Sequence, residues 1–229
     1  MRFFDIKTNI IPRVDPNCES ISQSLNLLKE FKGRNITKIC SSPNYFDIGE
    51  IEIQNIIIDI QKEASKLEDF EIPEIYTSVM HPINLDLIEI KNIRSINNSR
   101  FLLCKFPTFG IPVNYSDKLR YLVNNNYIPI ISNFSHCDLN KYQKVIQEIF
   151  EIGCFFDLDI NDFFEYKNKY STRSIKFMES QQSIITVSGF NKLDDMDKGF
   201  ERFSRITKIN QKKLKEVYCW DNPNLIISS

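Results

Sequence analysis

An α/β fold on a mainly parallel sheet is predicted by the alternation of short apolar runs with longer amphipathic segments. Two further observations sharpen this. No Gly-, Ser- or Pro-rich linker divides the 229 residues, so a single domain over 1–229 is expected. With 42% hydrophobic and 26% charged residues, the chain can also bury a sizeable core. A closed or nearly closed barrel would gather the C-terminal ends of the strands, and any site, on one face. An open doubly wound sheet shares the same periodicity and stays open at this level.

The elements follow in order. Phe3 to Ile6 reads as a first strand, and a loop with Pro12 and Pro16 comes after it. Ile21, Leu25, Leu28 and Phe31 recur at helical spacing over Ser20 to Phe31, with Gly33 as the expected stop. Ile36 to Cys40 is a second strand, halted by Ser41-Ser42-Pro43. Glu50 to Leu67 places Ile53, Ile56, Ile57, Ile60 and Ala64 on one helical face, and a third apolar stretch spans Ile72 to Val79. Phe101 to Cys104, Ile128 to Ile131, Cys154 to Leu158 and Ser183 to Val187 are further strands. Between them, Lys118 to Asn124 is helical, and so is a segment marked by Tyr142, Val145, Ile146, Ile149 and Phe150 and stopped at Gly153. Helices near Met196 to Phe203 and Gln211 to Tyr218 complete the pattern.

Composition excludes several function classes. Twenty-nine basic against 30 acidic residues leave a formal charge of −1, which argues against a nucleic-acid binder or a binder of anionic membranes. No apolar run reaches the roughly 18 residues of a membrane span, and the N-terminus meets Asp5 before any signal core forms. A cytoplasmic protein without membrane insertion is expected. The six cysteines are scattered with no Cys-x-x-Cys pair, as buried apolar thiols would be. Only two histidines, His81 and His136, are present, which weighs against a multi-metal hydrolase.

In this architecture function sits in the loops that follow the strands. Those loops read Lys7-Thr8-Asn9, Ser42-Pro43-Asn44-Tyr45, Ser78-Val79-Met80-His81, Lys105-Phe106-Pro107, Ser132-Asn133-Phe134-Ser135-His136 and Ser188-Gly189-Phe190-Asn191. Their order and framing resemble the PHP (polymerase and histidinol phosphatase) superfamily, specifically its bacterial capsule-type protein-tyrosine phosphatases. Asp5-Ile6-Lys7-Thr8-Asn9-Ile10-Ile11-Pro12 resembles that family's opening Asp-Ile-His-x-His-Ile-x-Pro, and Val14-Asp15-Pro16-Asn17 its Asp-Asp-Gly turn. Ser42-Pro43-Asn44-Tyr45 is similar to its Thr-Pro-His-His, and Leu103-Cys104-Lys105-Phe106-Pro107 to its strand ending in Glu-Leu-Pro. Asn126 to Ser135 resembles Gly-Tyr-x-Pro-x-x-Ala-His-Pro-Glu, Ser188 to Asn191 resembles Ser-Asp-Ala-His, and Asn222-Pro223 its terminal Asn-Pro. The resemblance covers nearly the whole chain and implies a distorted (β/α)7-type PHP barrel.

The departures from the family pattern are systematic. The positions of the His-x-His pair hold Lys7 and Asn9, and later imidazole positions hold Asn44, Asn133 and Asn191. Met80 falls near an acid position, Gly189 replaces an Asp, and Asp15 alone survives from the paired acids. A neutral amide offers a metal no lone-pair nitrogen, and Lys7 adds a positive charge. Neither a metal nor another cofactor is therefore expected, and no catalytic residue is assigned. Lys7, Asn9, Asp15, Asn44, Lys105, Asn133, His136 and Asn191 form the candidate pocket, with Lys7 able to attract phosphate or pair with Asp15. The resulting expectation is a catalytically inactive pseudophosphatase with a binding or regulatory role. The resemblance implies a tyrosine kinase tail or a polysaccharide-export protein as partner. Two alternatives remain: a weak metal-dependent phosphoesterase or protein-tyrosine phosphatase, and a structural assembly subunit with a vestigial site.

Other motifs carry less. His136-Cys137 lacks the Arg six residues on that a cysteine phosphatase needs, since Gln143 stands there. Asp194, Asp195 and Asp197 read as a solvated helix start. His81, beside Pro82, is expected at the surface. Met80 and Phe190 are candidates to fill the pocket, while Phe163, Phe164 and Tyr166 are expected to pack in the core.

Overall fold

The computed structural model describes residues 1–16, 18–45, 50–68, 70–84, 93–107, 110–132, 143–160, 183–187 and 193–228. In chain order these form β1 (Phe3–Thr8), α1 (Ile21–Gly33), β2 (Ile36–Ser41), α2 (Glu50–Ala64), β3 (Glu74–Thr77) and β4 (His81–Pro82). A short 3-10 turn (Ile96–Asn98) precedes β5 (Phe101–Lys105), α3 (Tyr115–Asn124), β6 (Ile128–Ser132), α4 (Gln143–Ile152), β7 (Phe155–Asp159), β8 (Ser183–Thr186) and α5 (Leu193–Thr207). The C-terminal helix opens with a turn, Gln211–Lys213, continues as a π-helical stretch, Leu214–Asp221, and ends as Asn222–Ile227.

Every ladder is parallel, and neighbours follow chain order: β1-β2-β3 in one sheet, β4-β5-β6-β7-β8 in the other. A doubly wound sheet reverses its order at a switch point, and this one does not. Residues 74–82 join the two sheets. The amides of Ser78 and Met80 donate to Ser41 and Pro43 carbonyls, each at 2.8 Å, extending the β2–β3 ladder. His81 and Pro82 then pair with Cys104 and Lys105 of β5. The same chain run thus serves both sheets.

The strand alternation sorts side chains into two environments. Phe4, Ile6, Cys40, Met80, Phe101, Leu103, Ile130 and Ile184 meet inside the barrel, joined from below by Ile226. On the outside, Leu28 and Phe31 of α1, Ile53, Ile57 and Ile60 of α2, and Met196, Phe200 and Phe203 of α5 cover one arc. Leu119 and Leu122 of α3 with Ile146, Ile149 and Ile152 of α4 cover the other.

Lys38 fastens the C-terminal helix across the barrel floor. Its ammonium lies 5.6, 5.9 and 6.0 Å from the ring centres of Trp220, Tyr76 and Phe4, and donates to Asn224 Oδ1 at 2.9 Å. Aromatic faces carry negative potential, so a half-buried cation is well placed among three of them.

Two sequence expectations need correction here, whereas α1 ends at Gly33 as expected and the chain then turns at Asn35, which adopts the left-handed φ of 60°. Asn tolerates that region because its short amide satisfies local backbone groups. The helix α3 starts at Tyr115, three residues before Lys118, because Tyr115 is itself buried against the outer layer. His81 is not at the surface: it is 1% exposed, Nε2 lies 2.9 Å from the Arg94 carbonyl oxygen, and the ring packs 5.2 Å from that of Tyr45.

Two outcomes follow for stability. Lys38→Met should lower the urea-unfolding free energy by about 1–2 kcal/mol, whereas Lys212→Met, an exposed surface pair, should change it by less than about 0.5 kcal/mol. Burial lowers the pKa of His81, a direction reinforced by the nearby Arg94 charge and opposed by the hydrogen bond to its backbone. The folded state therefore binds fewer protons than the unfolded one just below the ordinary histidine value of about 6.5. Stability is full above that pH and should fall as pH drops through it towards the lower folded value. In His81→Gln the same denaturation series should be flatter between about pH 7 and pH 5.5.

Candidate functional site

At the upper end of β1 two charged residues lie two positions apart, and the fold uses them differently. Asp5 is fully buried; its Oδ2 accepts from the Val187 amide at 2.6 Å and its Oδ1 from the Lys7 amide at 2.9 Å. Among the described residues no backbone ladder joins β8 to β1, so this carboxylate bridges the gap. The register of β1 against β2 shifts between Asp5 and Thr8. Such an irregularity re-aims the side chain that follows it, and here Lys7 reaches β7 across the barrel mouth.

Lys7 Nζ lies 3.0 Å from Asp157 Oδ2, with the two side chains 16% and 0% exposed. The Ser132 hydroxyl donates to the same carboxylate oxygen. Burial disfavours the ammonium, yet the charges of Asp157, Asp159 and Asp5, with the Asp157 hydrogen bond, outweigh it and raise the Lys7 pKa above the ordinary lysine value. The surrounding acids therefore favour the charged form of Lys7.

The sequence offered Lys7 either a phosphate or Asp15 as partner, and in the structure it pairs with Asp157. Asp15 Oδ2 accepts from the Ile11 amide at 2.7 Å, a contact four residues away that shapes the loop after β1. Lys105 and Asn44 do come together: the Lys105 ammonium donates to Asn44 Oδ1. Asn44 also forms a backbone bridge to Met80, which is buried in the barrel interior and fills the axis below the mouth. Asn9 is exposed beyond the end of β1. Asn17, Asn133, His136, Cys137, Phe163, Phe164, Tyr166, Gly189, Phe190 and Asn191 lie outside the described residues.

Asp157, Asp159 and Ser132 escaped sequence reasoning. The available signal was Phe155-Phe156-Asp157-Leu158-Asp159: two acids two apart on an apolar strand share one face. Buried carboxylates persist there only with partners, and Lys7 and Ser132 partner Asp157. The thiols match their expected inert role. Burial pushes Cys40, Cys104 and Cys219 well up and Cys154 up to about 12, so none is a ready nucleophile. Chemically, the mouth presents an ammonium, a paired carboxylate and hydroxyls, groups suited to holding an oxyanion.

Comparison with known proteins gives the arrangement its context. The family described as "Capsular polysaccharide synthesis, CpsB/CapC" matches residues 3–219. CapC of Staphylococcus aureus, which carries the name of a tyrosine-protein phosphatase, is 28% identical over 228 residues, covering 93% of this chain and 85% of its own. The tyrosine-protein phosphatase CpsB of Streptococcus agalactiae is 22% identical over 206 residues, covering 83% of each chain. Among solved structures, one from the work on YwqE of Bacillus subtilis and CpsB of Streptococcus pneumoniae, described as metal-dependent tyrosine phosphatases, superposes with a TM-score of 0.81 at 13% identity. It covers 98% of this chain and 94% of its own. A phosphotriesterase homology protein of Escherichia coli superposes with a TM-score of 0.56 at 10% identity, covering 99% and 98%. These likenesses bear out the expected α/β barrel of mainly parallel strands.

A metal centre of the kind implied by the metal dependence stated for YwqE and CpsB does not fit the described residues of this chain. Among them no three His, Cys, Asp or Glu side chains converge, and the Lys7 ammonium occupies the one carboxylate oxygen it shares with Ser132. The expectation of a catalytically inactive pseudophosphatase is nevertheless overturned. Relatives matched over most of both chains are named as tyrosine-protein phosphatases, and replaced ligands alone do not establish lost activity. With residues 3–219 matched, the chain belongs to the CpsB/CapC family of capsular polysaccharide synthesis.

Proposed function

We propose that this chain is a protein-tyrosine phosphatase, a phosphoesterase that transfers the phosphoryl group of phosphotyrosine to water at the barrel mouth. The observation that carries this reading is the family match over residues 3–219, together with relatives named as tyrosine-protein phosphatases. The mouth supplies groups consistent with it. Lys7 stays charged beside Asp157 and offsets the negative charge of a phosphoryl group, and Ser132 holds Asp157 in place. Lys105, fixed by Asn44, adds a second cation from β5.

In the same reading Asn9, Asp15, Asn133, His136 and Asn191 remain candidates for substrate binding. The substrate is a tyrosine-phosphorylated protein of capsule assembly, either a bacterial tyrosine kinase tail or a polysaccharide-export component. The work is done in the cytoplasm by one domain spanning residues 1–229. No described helix is long and apolar enough to cross a membrane, which accords with that setting.

The test is turnover of a phosphotyrosine peptide by the full chain, measured as phosphate release with and without added manganese. We expect a rate at least about tenfold above a heat-denatured control, a preference over the matching phosphoserine peptide, and at least a tenfold loss of kcat/KM in Asp157→Asn. Phosphate release indistinguishable from the control under both conditions would sink the reading.

A further inference from the structure

The upper half of the barrel holds more buried polar atoms than partners. Ser42 Oγ, Ser78 Oγ, Thr186 Oγ1 and Asp157 Oδ1 are buried and have no hydrogen-bond partner among the described residues. Strand alternation turns them inward. Ser42 is two residues beyond Cys40, Ser78 two before Met80 and Thr186 two beyond Ile184, and all three reference residues lie in the interior cluster. Asp157 is two residues beyond Phe155, which packs on that cluster, and it meets Lys7 and Ser132 directly. Buried polar groups are otherwise almost always satisfied in folded proteins, so four orphans on one inner face mark a place that a polar ligand completes.

Their chemistry selects the ligand. Hydroxyls of Ser42, Ser78 and Thr186 donate, and the Lys7 ammonium supplies a fixed positive charge. Ionised Asp157 only accepts, so the ligand must also present a proton. A phosphate group meets all three demands: several acceptor oxygens, negative charge and, in its hydrogen-phosphate form, one P–OH. A divalent cation meets none of them well, because it would face an ammonium and neutral hydroxyls.

We propose that the barrel mouth binds the phosphoryl group of a phosphomonoester without a divalent metal, using the Lys7 ammonium as its cation and the inward hydroxyls of Ser42, Ser78 and Thr186 as donors. This deepens the phosphatase reading and rests on it for the identity of the substrate. Lys7 takes the electrostatic part that bound cations hold in other phosphate sites. Asp157 keeps that lysine in position and accepts from the P–OH.

The experiment is calorimetric titration of inorganic phosphate into full-length protein stripped of metals on a chelating resin, at low ionic strength. We expect one site per chain, weakened by added salt, with affinity kept within about threefold in Lys7→Arg and lost at least about tenfold in Lys7→Met. Lys7→Met leaves Asp157 buried without its cation and destabilises the fold, so Ser132→Ala and Thr186→Val provide variants that keep the ion pair, each expected to weaken binding about three- to tenfold. Phosphate binding that appears only after manganese is added overturns the inference, as does binding untouched by all four substitutions. Phosphotyrosine turnover in the same samples separates the two readings. Manganese-requiring turnover that survives Lys7→Met leaves the phosphatase reading intact and overturns this inference. Lys7-dependent phosphate binding with no turnover upholds the inference and counts against the phosphatase reading.

Discussion

The barrel depends on one buried carboxylate. A ring of parallel strands needs every backbone edge satisfied, and between β8 and β1 the described ladder provides no such bonds. Asp5 fills that deficit by accepting from Val187 on one side and from its own strand at Lys7 on the other. A fully buried acid is costly unless its oxygens are bonded, and both of these are. The same contact fixes the direction in which β1 leaves the sheet, and so fixes where Lys7 goes.

From that seam the electrostatics of the mouth follow. Lys7 is drawn to Asp157 rather than to Asp15, because Asp157 faces it from β7 across the mouth and Asp15 is already held by the Ile11 amide. Three acids around one ammonium keep it charged despite its burial. A desolvated cation held by its surroundings needs no reorganisation when an anion arrives, the feature that makes such sites effective in phosphoryl chemistry. The mouth thus offers a positive charge with no imidazole among its described members.

Much of the fold was legible in the sequence because strand and helix periods differ. Ile53, Ile57 and Ile60 announced α2, and Phe101 to Cys104 announced β5, for reasons of burial alone. The two-residue strand β4 was not legible, since His81-Pro82 has no alternation to read and is recognised only by its pairing with Cys104 and Lys105. At the site, Lys7, Asn44 and Lys105 could be found because they end strands. Asp157 was hidden inside what read as core, while Lys7, for which phosphate or Asp15 was offered as partner, pairs with Asp157. The expected loss of activity rested on replaced ligands, and it gave way to the kinship over residues 3–219.

The run 74–82 gives the ring an asymmetry. Because one continuous run of chain takes part in both ladders, the two sheets are covalently joined on that side. On the opposite side the Asp5 carboxylate links them near the mouth, while the floor is clasped by Asn222, whose amide donates to the Ser183 carbonyl at 2.6 Å. The molecule is therefore a split ring, riveted at the back and pinned at the base. Any widening to admit a bulky phosphorylated side chain would occur as a wedge at the upper end of the β1–β8 gap. The position of Lys7 would then be coupled to how far that gap stands open.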